Sequence, residues 1–383
     1  MNLDLTDDQV QIRDAVRELC REEFAPLAAT WDAEQGVPLD AIEKLADQGF
    51  LGMAIPEEWG GVGYDARTIV IVLEEIARIS AALAIMIAVH NSVGALPVFR
   101  FGTDEQRRKY LPRLVSHELA AFSLSEPGAG SDAGAIESTA VRDGDHYVLH
   151  GSKNWVTNGI NAGVYLVFAR TAKGEGNKGL SAFIVEKGTK GLVIGKPEDK
   201  MGLRGSETVA LSLEDLRVPA ENRLGAEGDG FKIAMSMLDA GRVGVAAQAL
   251  GVMTAAFDEA ARYAQQRSAF GAPIAKIQAI QFKLAEMERR VQCARLLLHK
   301  AAWLRDSGQP YTRAASMAKL YASESATWVT HQAIQIHGGY GYVKEYAAER
   351  YYRDARVMEI YEGTSEIQRL VIARSALKEG VAV

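Results

Sequence analysis

Near the end of the chain, Ile360-Tyr-Glu-Gly-Thr-Ser-Glu-Ile-Gln-Arg369 sets one carboxylate, Glu362, between apolar neighbours and a glycine, Gly363. Ser365 and Gln368 form a capping-box pattern, so a helix is expected to start near Ser365 with Glu362 in the loop just before it. A carboxylate beside Ile360 and Tyr361, next to a flexible glycine, can be buried and reach into a pocket. Burial raises its pKa towards neutrality and strengthens it as a base. The competing reading is an anion that stabilises the positive end of a helix and does no chemistry. This run by itself leaves both open.

Four other segments carry weaker signals. Phe122-Ser-Leu-Ser-Glu-Pro-Gly-Ala-Gly-Ser-Asp132 has two glycines and flanking serines that let backbone N–H groups approach a phosphate or a ring edge. It is also an ordinary turn sequence, and no strand-loop-helix unit surrounds it as a dinucleotide fingerprint requires. In Lys153-Asn-Trp-Val-Thr-Asn-Gly159, Trp155 and Thr157 would share one face of a strand. A core tryptophan beside a threonine explains them equally well. Arg267-Ser-Ala-Phe-Gly271 and Gln335-Ile-His-Gly-Gly339 each follow a helical stretch. Arginine suits phosphate and paired glycines suit close backbone approach, although a solvated arginine needs no ligand. His337 has no second ligand-type residue at metal spacing, so no metal site is expected.

The elements that must position these segments fall into three blocks. Residues 1–119 read as helices: one opened by Thr6 with Asp7 and Asp8 in its first turn and ended by Pro26, a second over Leu39–Gln48, and a third over Arg67–His90, apolar almost all round. Residues 120–228 carry short β-prone runs (His146–Leu149, Val164–Ala169, Ala182–Val185, Leu192–Ile194, Val209–Leu213) bounded by turn signals, a compact antiparallel β-domain of barrel or sandwich type. Residues 229–383 return to long alanine-rich helices, Phe231–Gln265, Ile277–Asp306 and Thr312–Ile336, which suggest a bundle. Helices, then strands, then helices make segregated α+β.

Composition excludes several classes. Across 383 residues the formal net charge is −6, and no basic block provides a footprint for nucleic acid. The acidic start lacks the features of a secretory signal or transit peptide. The longest apolar stretch, Ala81–His90, is too short to span a bilayer, so no membrane insertion is expected. Cys20 and Cys293 lack metal or redox spacing, which points to a reducing, cytoplasmic setting.

In this order and at these separations the five segments resemble the acyl-CoA dehydrogenase family over essentially the whole chain. The wording is closest to its short-chain and short branched-chain members, which share Glu126-Pro-Gly-Ala-Gly-Ser-Asp132 and Ile360-Tyr-Glu-Gly-Thr-Ser-Glu366. The resemblance implies an α-helical N-domain, a β-barrel-like middle domain, a C-terminal four-helix bundle, and FAD between the last two. It implies that Phe122, Leu124 and Ser125 line the flavin ring and that Ser131 serves both cofactor phosphate and substrate. Trp155 and Val156 would lie at the flavin, with Thr157 donating towards N5. Arg267, Phe270, Gln278, Gln335, Gly338 and Gly339 would hold the adenosine diphosphate half of a neighbouring subunit's FAD, with Thr364 and Glu366 completing the cofactor site. Asp239 and Arg242 match positions that touch coenzyme A, Gly363 lies at the substrate, and Gln248 and Met358 lie towards the far end of the acyl pocket, favouring a short chain.

Glu362 matches the base that removes the α-proton as the β-hydride leaves to the flavin. One family variant places the base on the first helix of the last domain, at the position of Gly241 here. Asp239 is two residues away, roughly 200° round that helix, and faces elsewhere. The family further implies a homotetramer built as a dimer of dimers and electron-transferring flavoprotein as acceptor. The alternatives are an acyl-CoA oxidase passing electrons to oxygen and a non-catalytic or DNA-associated relative.

Overall fold

The computed structural model describes residues 4–379 and follows the expected order of helices, sheet, helices. Thr6 caps α1 (Asp7–Leu19) with the full capping box: its hydroxyl accepts the Gln9 N–H at 3.2 Å and the Gln9 side chain accepts the Thr6 N–H at 3.3 Å. α1 runs on through a π-helical turn, Cys20–Phe24, to reach α2 (Ala28–Glu34) and α3 (Leu39–Asp47).

The run expected as a single third helix is two. α4 (Ala66–Ile79) and α5 (Ala81–Val89) break at Ser80, which takes extended backbone and accepts the Leu83 N–H at 3.2 Å. Both helices are buried nearly all round, so no change of hydrophobic pattern marks the break. α5 continues through a second π-helical turn, His90–Ala95, into α6 (Leu96–Phe101). The helical run Ala81–Phe101 is thus 21 residues, longer than the sequence reading, and long and apolar enough to cross a membrane; 89% of its most apolar window is buried inside the protein. α7 (Asp104–Ser116) leads to the sheet.

The middle segment is an eight-stranded sheet of β1 (Leu119–Ser123), β2 (Thr139–Asp143), β3 (His146–Thr157), β4 (Ala162–Arg170), β5 (Leu180–Glu186), β6 (Leu192–Ile194), β7 (Thr208–Pro219) and β8 (Arg223–Leu224). Strands β6-β7-β3-β2 and β4-β5-β8 form two halves joined by one parallel pair, Thr139 with Arg170. Their inner faces, including Tyr147, Leu149, Tyr165, Val167 and Phe183, share one core, which gives the barrel-like form. The expected all-antiparallel pairing is corrected at β1, which runs parallel to β4 with Phe122 opposite Leu166. The β2–β3 hairpin lies between them in sequence and supplies the long connection a parallel pair needs.

After the sheet come α8 (Gly230–Gln266), a short hairpin β9 (Ser268–Ala269) and β10 (Ala272–Pro273), α9 (Gln278–Asp306), α10 (Thr312–His337), α11 (Ala348–Arg356) and α12 (Ser365–Glu379). The helices of both chain ends share one continuous core, in which Leu73 and Ile76 of α4 join Leu250 of α8 and Val329 of α10. Small residues allow the close crossing: a Cβ at Gly251 would lie 2.4 Å from the Glu74 carbonyl on α4.

Candidate active site

Glu362 lies in the loop between α11 and α12, with φ of +54°, a left-handed conformation uncommon outside glycine. Its Oε2 is out of solvent and has no hydrogen-bond partner. Burial pushes the carboxyl up to about 7, against the pull of Arg242 and Lys319. The carboxylate faces Gly241 on α8: a Cβ there would fall 2.5 Å from Oε2 and 3.0 Å from the carboxyl carbon. The glycine at 241 therefore makes the room that Glu362 occupies.

The helix start next to it differs by one residue from the expected box. Thr364, not Ser365, caps α12, with its hydroxyl accepting the Ile367 N–H at 3.4 Å. Gln368 reaches past the cap and donates Nε2 to the carbonyls of Glu362 at 3.2 Å and Gly363 at 2.9 Å. Lys319 of α10, which the sequence reading passed over, donates Nζ to the Gly363 carbonyl at 2.8 Å. Its signal was present in the sequence: it interrupts the Ala315, Ala318, Ala322 stripe of α10 at core-facing spacing.

On α8, Arg242 donates to Asp239 at 2.6 Å, and Thr312 of α10 donates to the other Asp239 oxygen. Further along, Gln248 is fully buried, accepts a hydrogen bond from the Tyr361 hydroxyl and gives Nε2 to the Ala81 carbonyl on α5 at 2.7 Å. Burial holds the Tyr361 phenol well above its ordinary range. Met358, also fully buried, sits in the same core.

The sheet side converges on the same helix α5. Asn158, just past β3, donates to the Met86 carbonyl at 3.0 Å and to Ala120 at 3.2 Å. Trp155 and Thr157 do not come from plain alternation. β3 carries a bulge between Lys153 and Val156, Trp155 has φ of +61°, and the two side chains flank Val156, which enters the core. Trp155 is 64% exposed, so it is a presented ring and not a core tryptophan.

The Phe122–Asp132 loop is tied beside it: Asn154 N–H donates to the Ser125 carbonyl at 2.9 Å, and the buried Lys153 ammonium meets Glu126 at 2.7 Å and the Leu124 carbonyl at 3.3 Å. Phe122 is half-buried, packed on Phe168 at 4.9 Å between ring centroids, while Ser131 is exposed. An open indole, a hydroxyl two residues on and a loop of serines fit a planar flavin with polar edges.

Arg267, Phe270, Gln278, Gln335, Gly338 and Gly339 form a separate cluster. Arg267 lies over the Tyr340 ring at 5.5 Å, Tyr263 stacks on His337 at 4.2 Å, and nothing lies within 4 Å of a Cβ at Gly338 or Gly339. From Lys319 to His337 along α10 is 18 residues, roughly 27 Å at 1.5 Å per residue, so this cluster is far from Glu362 in the same chain. Phe270 is 98% exposed, and Gln278 and Gln335 are exposed. Thr364 stays with the Glu362 loop, and exposed Glu366 follows it. Among the described residues no group of three metal-ligand side chains occurs.

Comparison with known proteins assigns the class. The acyl-CoA dehydrogenase N-terminal, middle and C-terminal domain families match residues 6–118, 121–216 and 228–377. This chain belongs to the acyl-CoA dehydrogenase family, and it is an FAD-dependent oxidoreductase. It is 50% identical over 378 residues to the mitochondrial short-chain specific acyl-CoA dehydrogenase of Bos taurus, covering 98% of this chain and 92% of that one. The butyryl-CoA dehydrogenase structure from Megasphaera elsdenii aligns with a TM-score of 0.97 at 43% identity, over 98% of this chain and all of that one. A chain in a structure described for the electron transferring flavoprotein of Acidaminococcus fermentans aligns with a TM-score of 0.97 at 45% identity, over 99% and 100%.

Proposed function

We propose that this enzyme oxidises a short-chain acyl-CoA to the trans-2-enoyl-CoA, with Glu362 removing the α-proton. The observation that carries the reading is the Glu362 carboxylate itself: its Oε2 out of solvent and without a partner, the group pushed up to about 7 by burial, and seated in the room made by Gly241. A base of that strength is half ionised near neutral pH and can return its proton after turnover. FAD would supply the acceptor for the β-hydride. Phe122, Leu124, Ser125, Trp155, Val156 and Thr157 form its ring site, and Ser131 serves phosphate and substrate. The Glu362 backbone N–H is a fixed donor for the enolate oxygen in a site kept dry by the surrounding core. Asp239 and Arg242 hold the coenzyme A portion, and Gly363 lets the thioester approach the base loop.

Arg267, Phe270, Gln278, Gln335, Gly338 and Gly339 hold the adenosine diphosphate half of a neighbouring subunit's FAD, with Thr364 and Glu366 beside the base completing the site. Their distance from Glu362 and the exposure of Phe270 support a site shared with a neighbouring subunit, and the assembly is a homotetramer of two dimers. The acceptor is electron-transferring flavoprotein, a reading supported by the Acidaminococcus match. The domains divide at residues 1–119, 120–228 and 229–383, supported by β1 starting at Leu119 and α8 at Gly230. Two free cysteines, Cys20 and Cys293, suit a reducing cytoplasmic setting.

Gln248, locked between Tyr361 and Ala81, and Met358 form the floor of the acyl pocket. A straight-chain series from butanoyl- to dodecanoyl-CoA tests this. Each methylene the pocket admits adds about 0.8 kcal/mol, about fourfold in affinity, so kcat/KM should peak at a short chain and fall beyond it. Met358→Ala should move the peak to longer chains. A parent optimum at long chains, or a variant with an unchanged optimum, would remove these residues from the floor.

A further inference from the structure

Lys319 stands behind the base loop, and the reaction as described does not use it. It is wholly out of solvent on α10 and makes no ion pair among the described residues; its Nζ goes to the Gly363 carbonyl at 2.8 Å. Gln368 binds that carbonyl from α12 and the Glu362 carbonyl as well. Both carbonyls after the base are therefore held, which is what a non-glycine residue at φ of +54° needs to stay in place.

The charge calls for a separate account. Taking an ammonium out of water costs several kcal/mol, and a neutral donor could bind a carbonyl, as Gln368 already does. The charged and titratable groups around this point are Glu362 and Tyr361 on the loop, Arg242 from α8 with Asp239 attached, Glu359 before the loop, Glu324 on α10 and Glu366 on α12. Burial pulls the lysine down to about 8, and of the carboxylates Glu362 acts on it most strongly in the other direction. Arg242 is paired with Asp239, yet it still acts on Glu362 more strongly than Lys319 does. Lys319 has no carboxylate partner of its own, and its field adds to that of Arg242.

We propose that Lys319 is a positioning residue for proton abstraction: it pins the Gly363 carbonyl so that Glu362 faces the Gly241 hollow, and its charge keeps that carboxylate ionised between turnovers. The inference rests on Glu362 as the base. Flavin reduction by butanoyl-CoA is followed anaerobically in the FAD-loaded enzyme between about pH 5.5 and 9, with acyl-CoA affinity measured alongside. In Lys319→Met the acid limb should move up by about one pH unit. At neutral pH the rate should fall about fivefold while affinity stays within about twofold, and the rate should recover at high pH. An unmoved limb overturns the proposal. Should Lys319→Met fail to retain FAD, Lys319→Gln keeps a donor to the carbonyl without the charge, and the same two outcomes decide. Glu362→Gln, run in the same series, separates the two ideas: bleaching at near-parent rate would overturn the base itself. A Glu362→Gln that no longer bleaches, together with an unmoved Lys319→Met limb, would overturn only the role of Lys319.

Discussion

Lys153 with Glu126 in the sheet and Lys319 with Glu362 in the helical bundle both set a buried lysine near a glutamate, and they are wired differently. Lys153 meets Glu126 directly at 2.7 Å, and the same carboxylate accepts the N–H groups of Glu137 at 2.6 Å and Ser138 at 3.1 Å. Burial pushes the Glu126 carboxyl up, but the lysine and these donors outweigh it and hold the group below its ordinary range. Lys319 instead donates to the Gly363 carbonyl, leaving Glu362 Oε2 with no partner, and there burial wins and carries the carboxyl to about 7. Burial lowers both lysines to about 8. A carboxylate with its acceptor sites filled serves as a brace; one left unfilled beside a hollow keeps its capacity to take a proton.

Breaking the brace should have the larger effect on folding. Lys153→Met leaves Glu126 buried without its cation, at a cost of about 3 kcal/mol. Because the pair ties the Leu124–Glu126 loop to β3, FAD affinity should fall with it. Thermal unfolding and FAD fluorescence titration check this, and parent-like values in both would show that the two backbone donors suffice. Next comes the hollow. Gly241→Ala puts a methyl group 2.5 Å from Glu362 Oε2 and so displaces the carboxylate, and an ångström of displacement at a reacting group costs about 10²-fold in rate. Stopped-flow flavin reduction should show that loss with FAD content unchanged; a rate within twofold of the parent would mean the carboxylate does not work from this position.

The smallest expected effect is on stability. Glu362 has a folded pKa above its unfolded value, and it is an acid, so its ionisation opposes folding as pH rises through that interval. Glu362→Gln should therefore raise Tm at pH above about 7, by about 2–4 °C. The gain should shrink to nothing as pH falls through 7 towards the ordinary glutamate range. A gain independent of pH would place its origin outside this titration.

The long helices α8, α9 and α10 were legible to within a residue or two because alanine-rich spacing at i, i+3, i+4 is a local signal. The break at Ser80 was not, because both flanking helices are buried on every face and the pattern does not change there. The parallel entry of β1 was hidden for another reason: it depends on a partner more than forty residues away, and pairing direction leaves no trace in the strand's own residues. At the site, Glu362 stood out by its neighbours, and Trp155 and Thr157 by their types, but the bulge that exposes Trp155 did not. Gln368 was read as part of a cap because capping partners are assigned by spacing, whereas its side chain had two loop carbonyls within reach. Lys319 was passed over because one charge in a long helix ordinarily faces solvent.

The contrast between the two glutamates depends on Glu362 being the group that takes the proton, and one measurement reads that step. Mix FAD-loaded Glu362→Gln with saturating butanoyl-CoA without oxygen and follow flavin absorbance on the stopped-flow, beside the parent. The amide keeps the shape and loses the basicity, so reduction should slow by about 10²–10⁴-fold, with acyl-CoA still bound. Bleaching at the parent rate would place the base elsewhere and leave Glu362 as another buried carboxylate.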